Sequence, residues 1–480
     1  MIKKNEIAIF IAILFVAGFF ATYKLTESPG VWYDEGFYVQ AASNLATDGQ
    51  MGLRIAPNFI EPSSKLISVG YPLIYPLALG FKIFGVNILT ARSVMVIFIL
   101  GFLVASYFLA RRLFGNTFAL GVLALLATLP PLYGNGKSVL GEVPGLFYLI
   151  LFLLFFNLAR SSTTKKYLWF VLTGISAGLC VATKPTFLLL LPAIAVGVLF
   201  EWRRGNLNFK EIFVVSLSTI APIIYWLVSQ FQTEDSLGGV LFEYANPYQI
   251  TDMLHVILVN LGHLFTDVGT LYLTGIMFIW FLALGIRFKA KEKISAEEIM
   301  ALVFSLLIIV AYTRTAGWYR YLFEAQAISL LFFPNALFTL FKRVHIPQAR
   351  KIVLATTLLL TFLGAYQVMF NSWVAESYNS HKSAFWQTYF NAMPTTTSLF
   401  FYDVPEVAFF SLSDNYYQYI SPSGWPIGKE QLVVLEKGEA DIIIVRSDTY
   451  KSRRDTIFHS YQIDQTAYKY TILQKKKSRY

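Results

Sequence analysis

Cysteine is almost absent from this chain. Cys180 is the only one in 480 residues and sits in an apolar run, which excludes a disulfide framework and a thiolate metal cluster. Charge is scarce as well: Asp, Glu, Lys and Arg make up 14% of the residues, against roughly 25% in a soluble domain. No glycine-rich phosphate loop and no Gly-x-Ser-x-Gly elbow occurs, so nucleotide-cradling and serine-hydrolase chemistry lack their usual signatures. His255 and His263 stand eight apart, a poor spacing for a metal on one helix face, and read as surface residues. No internal repeat is evident, which weighs against an inverted-repeat transporter.

What the chain has instead is apolar mass: 56% hydrophobic and 17% aromatic residues, with a mean hydropathy of +0.54. A bilayer is crossed by about 20 mostly apolar residues as a helix, because in lipid the backbone must satisfy its own hydrogen bonds. Spans are expected near 7–23, 88–110, 117–133, 143–159, 167–183, 185–201, 211–229, 270–286, 296–312, 320–341 and 352–370, about eleven in all. The fold class is therefore mainly α, a polytopic membrane helix bundle. Gly174 and Gly178 form a small-xxx-small pair suited to close helix packing.

The formal net charge of +10 does not point to nucleic acid, because the basic residues form short clusters between apolar runs. Lys3 and Lys4, Arg111 and Arg112, Arg160 with Lys165 and Lys166, Arg203 with Arg204 and Lys210, Arg287 through Lys293, and Lys342 through Lys351 fall on alternate loops. The positive-inside rule makes these loops cytoplasmic, with contact to anionic membrane lipid a lesser role. The N-terminal run reads as a signal anchor that is retained. Loops 24–87, 134–142, 230–269 and 313–319, the turn at Lys184 and the tail from Asn371 then lie outside.

The first outer loop contains VWYDEGFYVQAASNL, with adjacent acids Asp34 and Glu35. Phe37, Tyr38, Ala41, Ala42 and Leu45 recur at helical spacing and predict an amphipathic helix on the membrane surface. Asp34 falls near its N-cap, where a carboxylate either caps the helix or is held there for chemistry. A second juxtamembrane helix is expected in GYPLIYPLALGFKIFGVN, and Met253 to Leu264 reads as a surface helix. From Asn371 strand-like runs alternate with polar stretches. The expected division is a membrane domain over 1–370 and a small α/β extracytoplasmic domain over 371–480, ending in a solvated or headgroup-touching KKKSRY.

Ionisable groups at membrane depth are costly, so each is a functional candidate. Lys137 and Glu142 lie in GNGKSVLGEVPG, Lys184 in ATKPT, and Arg320 in GWYRYLFEAQ with Glu324 one turn on; Arg54 and Lys65 belong to the first loop. Taken singly, Lys184 could snorkel and Arg320 could simply pair with Glu324. Taken together, acids and bases on one face describe a cavity for a lipid-borne anion and a polar partner from outside. A transporter or flippase of a lipid-linked or anionic substrate is the alternative; it predicts paired repeats and broken helices rather than charges gathered at one surface.

Asp34-Glu35 before a Tyr and a surface helix, then YPLIYPLALGFKIFGVN with Ala91-Arg92, RRLFGN, GKSVLGEVPGLF, LCVATKPTFLLLLPA and WYRYL, resemble in this order the polyprenyl-phosphate-sugar-dependent glycosyltransferases of the GT-C fold. Protein O-mannosyltransferases and lipid A aminoarabinose transferases are the nearest in pattern, over roughly residues 30 to 340. The resemblance implies Asp34 as catalytic aspartate, Glu35 as its motif neighbour, Glu142 as the acid of the second outer loop, and Lys184 and Arg320 as motif bases. Lys65 departs from the pattern, since Ser64 stands where relatives of the aminoarabinose type carry Glu.

On this reading a sugar already linked to phosphate needs no general acid. Asp34 deprotonates an acceptor hydroxyl in an inverting displacement, Glu35 and Tyr38 bind sugar or acceptor, and Arg320 and Lys184, with Lys65 or Lys137, grip the departing phosphate. The expected partners are a polyprenyl-phosphate-linked sugar and a glycan, lipid or protein acceptor. No cofactor is expected, although two outer acids leave a divalent ion as an option. The expected location is a multi-pass membrane protein with a cytoplasmic N-terminus.

Overall fold

The computed structural model describes residues 4–62, 67–230, 250–266, 271–411, 413–421 and 426–476. Among them, ten helices are long and apolar enough to cross a membrane: Lys4–Thr22, Ile88–Phe114, Glu142–Ser161, Lys166–Thr183, Pro185–Arg203, Phe209–Gln230, Leu271–Lys289, Ala296–Thr313, Phe323–Arg343 and Ala349–Glu376. Asn116–Ala127 and Pro130–Lys137, bent by 58°, have together the length and apolar composition of an eleventh. Sequence reading expects a straight span over 117–133. The difference comes from Pro130 and Pro131, which lack the N–H donors needed to continue the first helix and open the second. Glycines set the closest approaches in the bundle. A Cβ at Gly174 would meet the Val215 carbonyl oxygen at 2.5 Å, and one at Gly178 the Thr219 carbonyl oxygen at 2.5 Å, so the small-xxx-small pair is a packing face.

The loop after the first span folds into the Tyr33–Thr47 helix, a hairpin of β1 (Leu53–Ala56) and β2 (Phe59–Glu61), and the Tyr71–Phe84 helix. The last begins with Pro72 in its first turn and ends at Gly85, where φ is +84° and glycine is the residue with least strain. Pro76, inside it, cannot bond the Pro72 carbonyl, and the Tyr148 hydroxyl donates to that oxygen at 3.4 Å.

After Phe370 the chain builds a five-stranded sheet in the order β4-β3-β5-β7-β6. β3 (Leu399–Tyr402) runs parallel to β4 (Tyr416–Tyr419) and β5 (Ile442–Arg446), while β6 (Tyr461–Ala467) and β7 (Tyr470–Lys475) form an antiparallel hairpin against β5. Alternation sends neighbouring side chains to opposite faces, and both faces are covered. Phe401, Ile444 and Ile472 pack with Trp386 and Phe390, whereas Phe400, Ile443 and Leu473 pack with Leu435 and Phe458.

This sheet domain corrects the expectation for the Tyr33–Thr47 helix. An amphipathic helix lying on a membrane surface keeps one wet face, but Glu35 through Ala42 are all buried here. Their far side is covered by Pro405–Ala408 and β4. Gln40 Nε2 donates to the Pro405 carbonyl at 3.0 Å, and Gln418 Nε2 donates to Gln40 Oε1 and to the Arg54 carbonyl, each at 3.1 Å. Gly36 lies at the contact, where an added Cβ would stand 2.5 Å from the Glu406 nitrogen and 2.6 Å from the Pro405 oxygen. Because backbone cannot step aside, Gly36→Ala is expected to destabilise the protein by about 1–3 kcal/mol, read as a lower unfolding midpoint of the purified protein in detergent. An unchanged midpoint contradicts this docking.

Candidate functional site

Two consecutive acids open the Tyr33–Thr47 helix, and the fold gives them different work. Trp32 is the N-cap, and its N–H donates to Glu35 Oε2 at 3.2 Å, so Glu35 at the third position, rather than Asp34, satisfies the helix start. Glu35 is fully buried and also accepts Arg92 Nε at 3.0 Å, Arg92 Nη2 at 2.9 Å and the Val139 N–H at 3.1 Å. Each of its oxygens thus has two donors. Glu35, expected from the sequence to bind sugar or acceptor, here ties its helix to the Ile88–Phe114 helix and to the turn before Glu142. Arg92 spends Nη1 on the Leu25 carbonyl at 2.9 Å.

Asp34 is thereby left free to point elsewhere. Its side chain is 30% exposed, and Oδ2 accepts Arg320 Nη2 at 2.7 Å. Arg320 sits in the turn Tyr319–Tyr321 ahead of the Phe323–Arg343 helix, with Trp32, Trp318 and Tyr321 rings 5.0 to 5.4 Å from its guanidinium carbon. The i,i+4 partner read from sequence, Glu324, is not the one it takes. Burial opposes the charge on Arg320, but Asp34, Tyr321 and Glu142 together outweigh it, so its pKa lies above the ordinary arginine value. Its Nε and Nη1 are buried and lack a hydrogen-bond partner among the described residues.

Glu142 is the first residue of its span and Lys184 the residue that ends Lys166–Thr183; their Oε1 and Nζ are 2.5 Å apart. Burial works against the Lys184 ammonium, but Glu142 raises its pKa above the lysine norm. Tyr38, one helical turn beyond Asp34, hydrogen-bonds Ser68 Oγ at 2.7 Å. Its phenol is pushed well up by burial and then by the Asp34 charge, and so stays protonated. Electrostatic coupling links Asp34, Tyr38, Glu142, Lys184 and Arg320, and adds Glu324 to the group. Glu324 carried a signal in the sequence, an acid two residues into a span, but its spacing from Arg320 made it look like a mere ion-pair partner.

Lys137 does not join them. Expected from the sequence as a phosphate grip, its Nζ donates to the Tyr23 carbonyl at 2.8 Å and lies 5.6 Å from the Tyr378 ring centre, anchoring the end of the bent helix pair. Lys65 lies outside the described residues. Arg54 pairs with Asp48 at 3.1 Å and Asp414 at 3.3 Å, joining the first loop to the sheet domain. His255 and His263 are exposed on the Met253–Thr266 helix. Among the described residues no three His, Cys, Asp or Glu side chains converge as a metal-holding set.

Residues 72–226 match the family model of the dolichyl-phosphate-mannose-protein mannosyltransferases, a stretch that includes Arg92, Glu142 and Lys184. Whole-chain similarity is to solved membrane enzymes. ArnT from Cupriavidus metallidurans bound to undecaprenyl phosphate superposes with a TM-score of 0.63 at 12% identity, covering 98% of each chain. The fold is GT-C. The apo oligosaccharyltransferase of Archaeoglobus fulgidus has a TM-score of 0.60 at 13% identity, over 94% of this chain and 71% of that one. The same organism's AglB in complex with an inhibitory peptide and a dolichol-phosphate scores 0.56 at 13%, over 92% and 70%. No curated protein matches by sequence. This GT-C chain is thus an integral, multi-pass membrane protein.

Removing one partner of a buried ion pair leaves an uncompensated charge at a cost of about 3–5 kcal/mol. Glu35→Gln or Arg92→Met alone is therefore expected to lower the unfolding midpoint sharply, and the double variant Glu35→Gln/Arg92→Met to recover part of the loss. Additive losses in a thermal-melt cycle contradict the pairing.

Proposed function

We propose that this protein is a glycosyltransferase that moves a sugar from a polyprenyl-phosphate donor to an acceptor hydroxyl on the extracytoplasmic side, with inversion at C1. The observation that carries the reading is Asp34: a carboxylate still reachable from solvent, oriented by Arg320 and beside the Glu142–Lys184 pair. The mannosyltransferase match over 72–226 and the polyprenyl phosphates bound by the similar structures support the donor class.

The acceptor oxygen attacks C1 as the C1–O bond to phosphate breaks, and Asp34 takes the hydroxyl proton. Polyprenyl phosphate leaves as an anion, so no acid need protonate it. Arg320, with Nε and Nη1 unpartnered, and Lys184 meet the charge that builds on the leaving oxygen. A retaining route needs a second carboxylate placed as nucleophile about 5 Å from the first; Glu35, the adjacent acid, is saturated by its own donors, and Glu142 is assigned to binding rather than attack. Tyr38 and Glu142 remain for sugar or acceptor. The basic loops support a cytoplasmic N-terminus, which puts the sheet domain and this cluster outside. The acceptor is a glycan, lipid or protein hydroxyl. Since Asp34 and Glu142 each already hold a basic side chain, catalysis is proposed to run on those bases without a metal.

The test is release of polyprenyl phosphate by the purified protein from a panel of polyprenyl-phosphate sugars, hexose donors first. Asp34→Asn is expected to lower turnover by about 10²–10⁴-fold in protein that still folds, and EDTA to leave turnover intact. Near-normal turnover by a folded Asp34→Asn protein rejects Asp34 as the base, and a chelator-sensitive reaction rejects the metal-free route.

A further inference from the structure

The charges around Asp34 do not come out even. Asp34 takes Arg320 and Glu142 takes Lys184, which leaves Glu324 as the acid without a base of its own. Its residue is 1% exposed, and its Oε2 has no hydrogen-bond partner among the described residues. It nevertheless shares the electrostatic field of Glu142, Lys184 and Arg320. Glu142 Oε2 is buried and unpartnered in the same way. Buried acceptors in native proteins find donors, so these oxygens call for donors carried by a ligand.

The proposed reaction brings three groups to this cluster, and two of them cannot serve. The leaving phosphate only accepts hydrogen bonds, and the donors it needs are assigned above to Arg320 and Lys184. The attacking hydroxyl gives its proton to Asp34. What remains is the ring of the transferred sugar, whose hydroxyls are donors. Building on the function proposed above, we propose that Glu324 is a specificity-determining residue whose carboxylate binds a ring hydroxyl of the transferred sugar, with Glu142 Oε2 taking a neighbouring one.

A site built to bond a hydroxyl discriminates steeply against a sugar lacking it, because its buried acceptor is then left unpaired. The arrangement also accounts for an acid so near the start of the Phe323–Arg343 span, where a carboxylate without a substrate contact brings only cost.

The experiment uses full-length protein in detergent with a polyprenyl-phosphate sugar that it transfers and the matched series of monodeoxy donors. Wild type, Glu324→Ala and Glu324→Gln are compared, with melting midpoints measured for each. With the parent donor, Glu324→Ala is expected to lose about 10- to 100-fold in kcat/KM, mainly through KM. Glu324→Gln, whose amide carbonyl still accepts, falls between it and wild type. With one particular deoxy donor, wild type slows and the ratio of variant to wild type returns to about one, as a shared contact requires. A loss of equal size for every donor identifies a structural role and overturns the proposal, as does parent-donor turnover unaffected in both variants. If wild type releases polyprenyl phosphate from no donor, the transferase reading fails and this assignment falls with it; transfer by wild type with donor-independent variant losses rejects Glu324 alone.

Discussion

The structure depends on the Glu35–Arg92 pair. Two charges fully removed from water hold together only if their lone pairs and protons are matched, and here both Glu35 oxygens are matched twice, by Arg92, Trp32 and Val139. The bonds fix where the Tyr33–Thr47 helix starts and how it is rotated. Successive residues on a helix are turned by about 100°, so fastening Glu35 inward settles the direction of Asp34 as well. One acid is used up in orienting its neighbour.

A similar division runs across the bundle. The Glu142–Ser161 helix begins in the Asp34 cluster and ends at Arg160, which pairs with Glu201 at 2.6 Å and Glu297 at 2.9 Å. Twenty residues of helix separate these ends by roughly 30 Å, the thickness of a hydrocarbon core. At the Arg160 end, together with the nearby Arg287–Glu298 pair, the carboxylates have basic or amide partners and serve to staple helices together. At the Glu142 end, Glu142 Oε2, Glu324 Oε2 and two Arg320 nitrogens lack protein partners among the described residues. Among the described residues the first set leaves one buried atom, Arg160 Nε, without a protein partner, while the second leaves four.

The spans were legible in the sequence because lipid imposes a plain rule on length and polarity, and ten helices and one bent pair meet the eleven runs expected. Strands β3, β5 and β7 also showed, within the runs SLFFYDVPEVAFF, QLVVLEKGEADIIIVRSD and YKYTILQ, although Leu432–Glu436 in the second is a helix. β4 and β6 did not, since YYQY and YQIDQTA carry polar residues suited to a sheet margin. Of the residues singled out, Asp34, Tyr38, Glu142, Lys184 and Arg320 are electrostatically coupled. The protein partners of Glu35 and Lys137, which are Arg92, Val139 and Tyr23, were not legible because they are distant in the chain and give no periodic signal. The bend at Leu129 was hidden by hydropathy, which does not register the missing donors of two prolines.

The contact between Gln40 and Gln418 spans 378 positions. A ribosome makes the Tyr33–Thr47 helix long before β4, so the helix has no cover for its Gln40 side until the sheet has been synthesised. Assembly of this face is therefore late relative to the spans between them. A nascent chain halted before the sheet domain would present buried amides and apolar residues to chaperones.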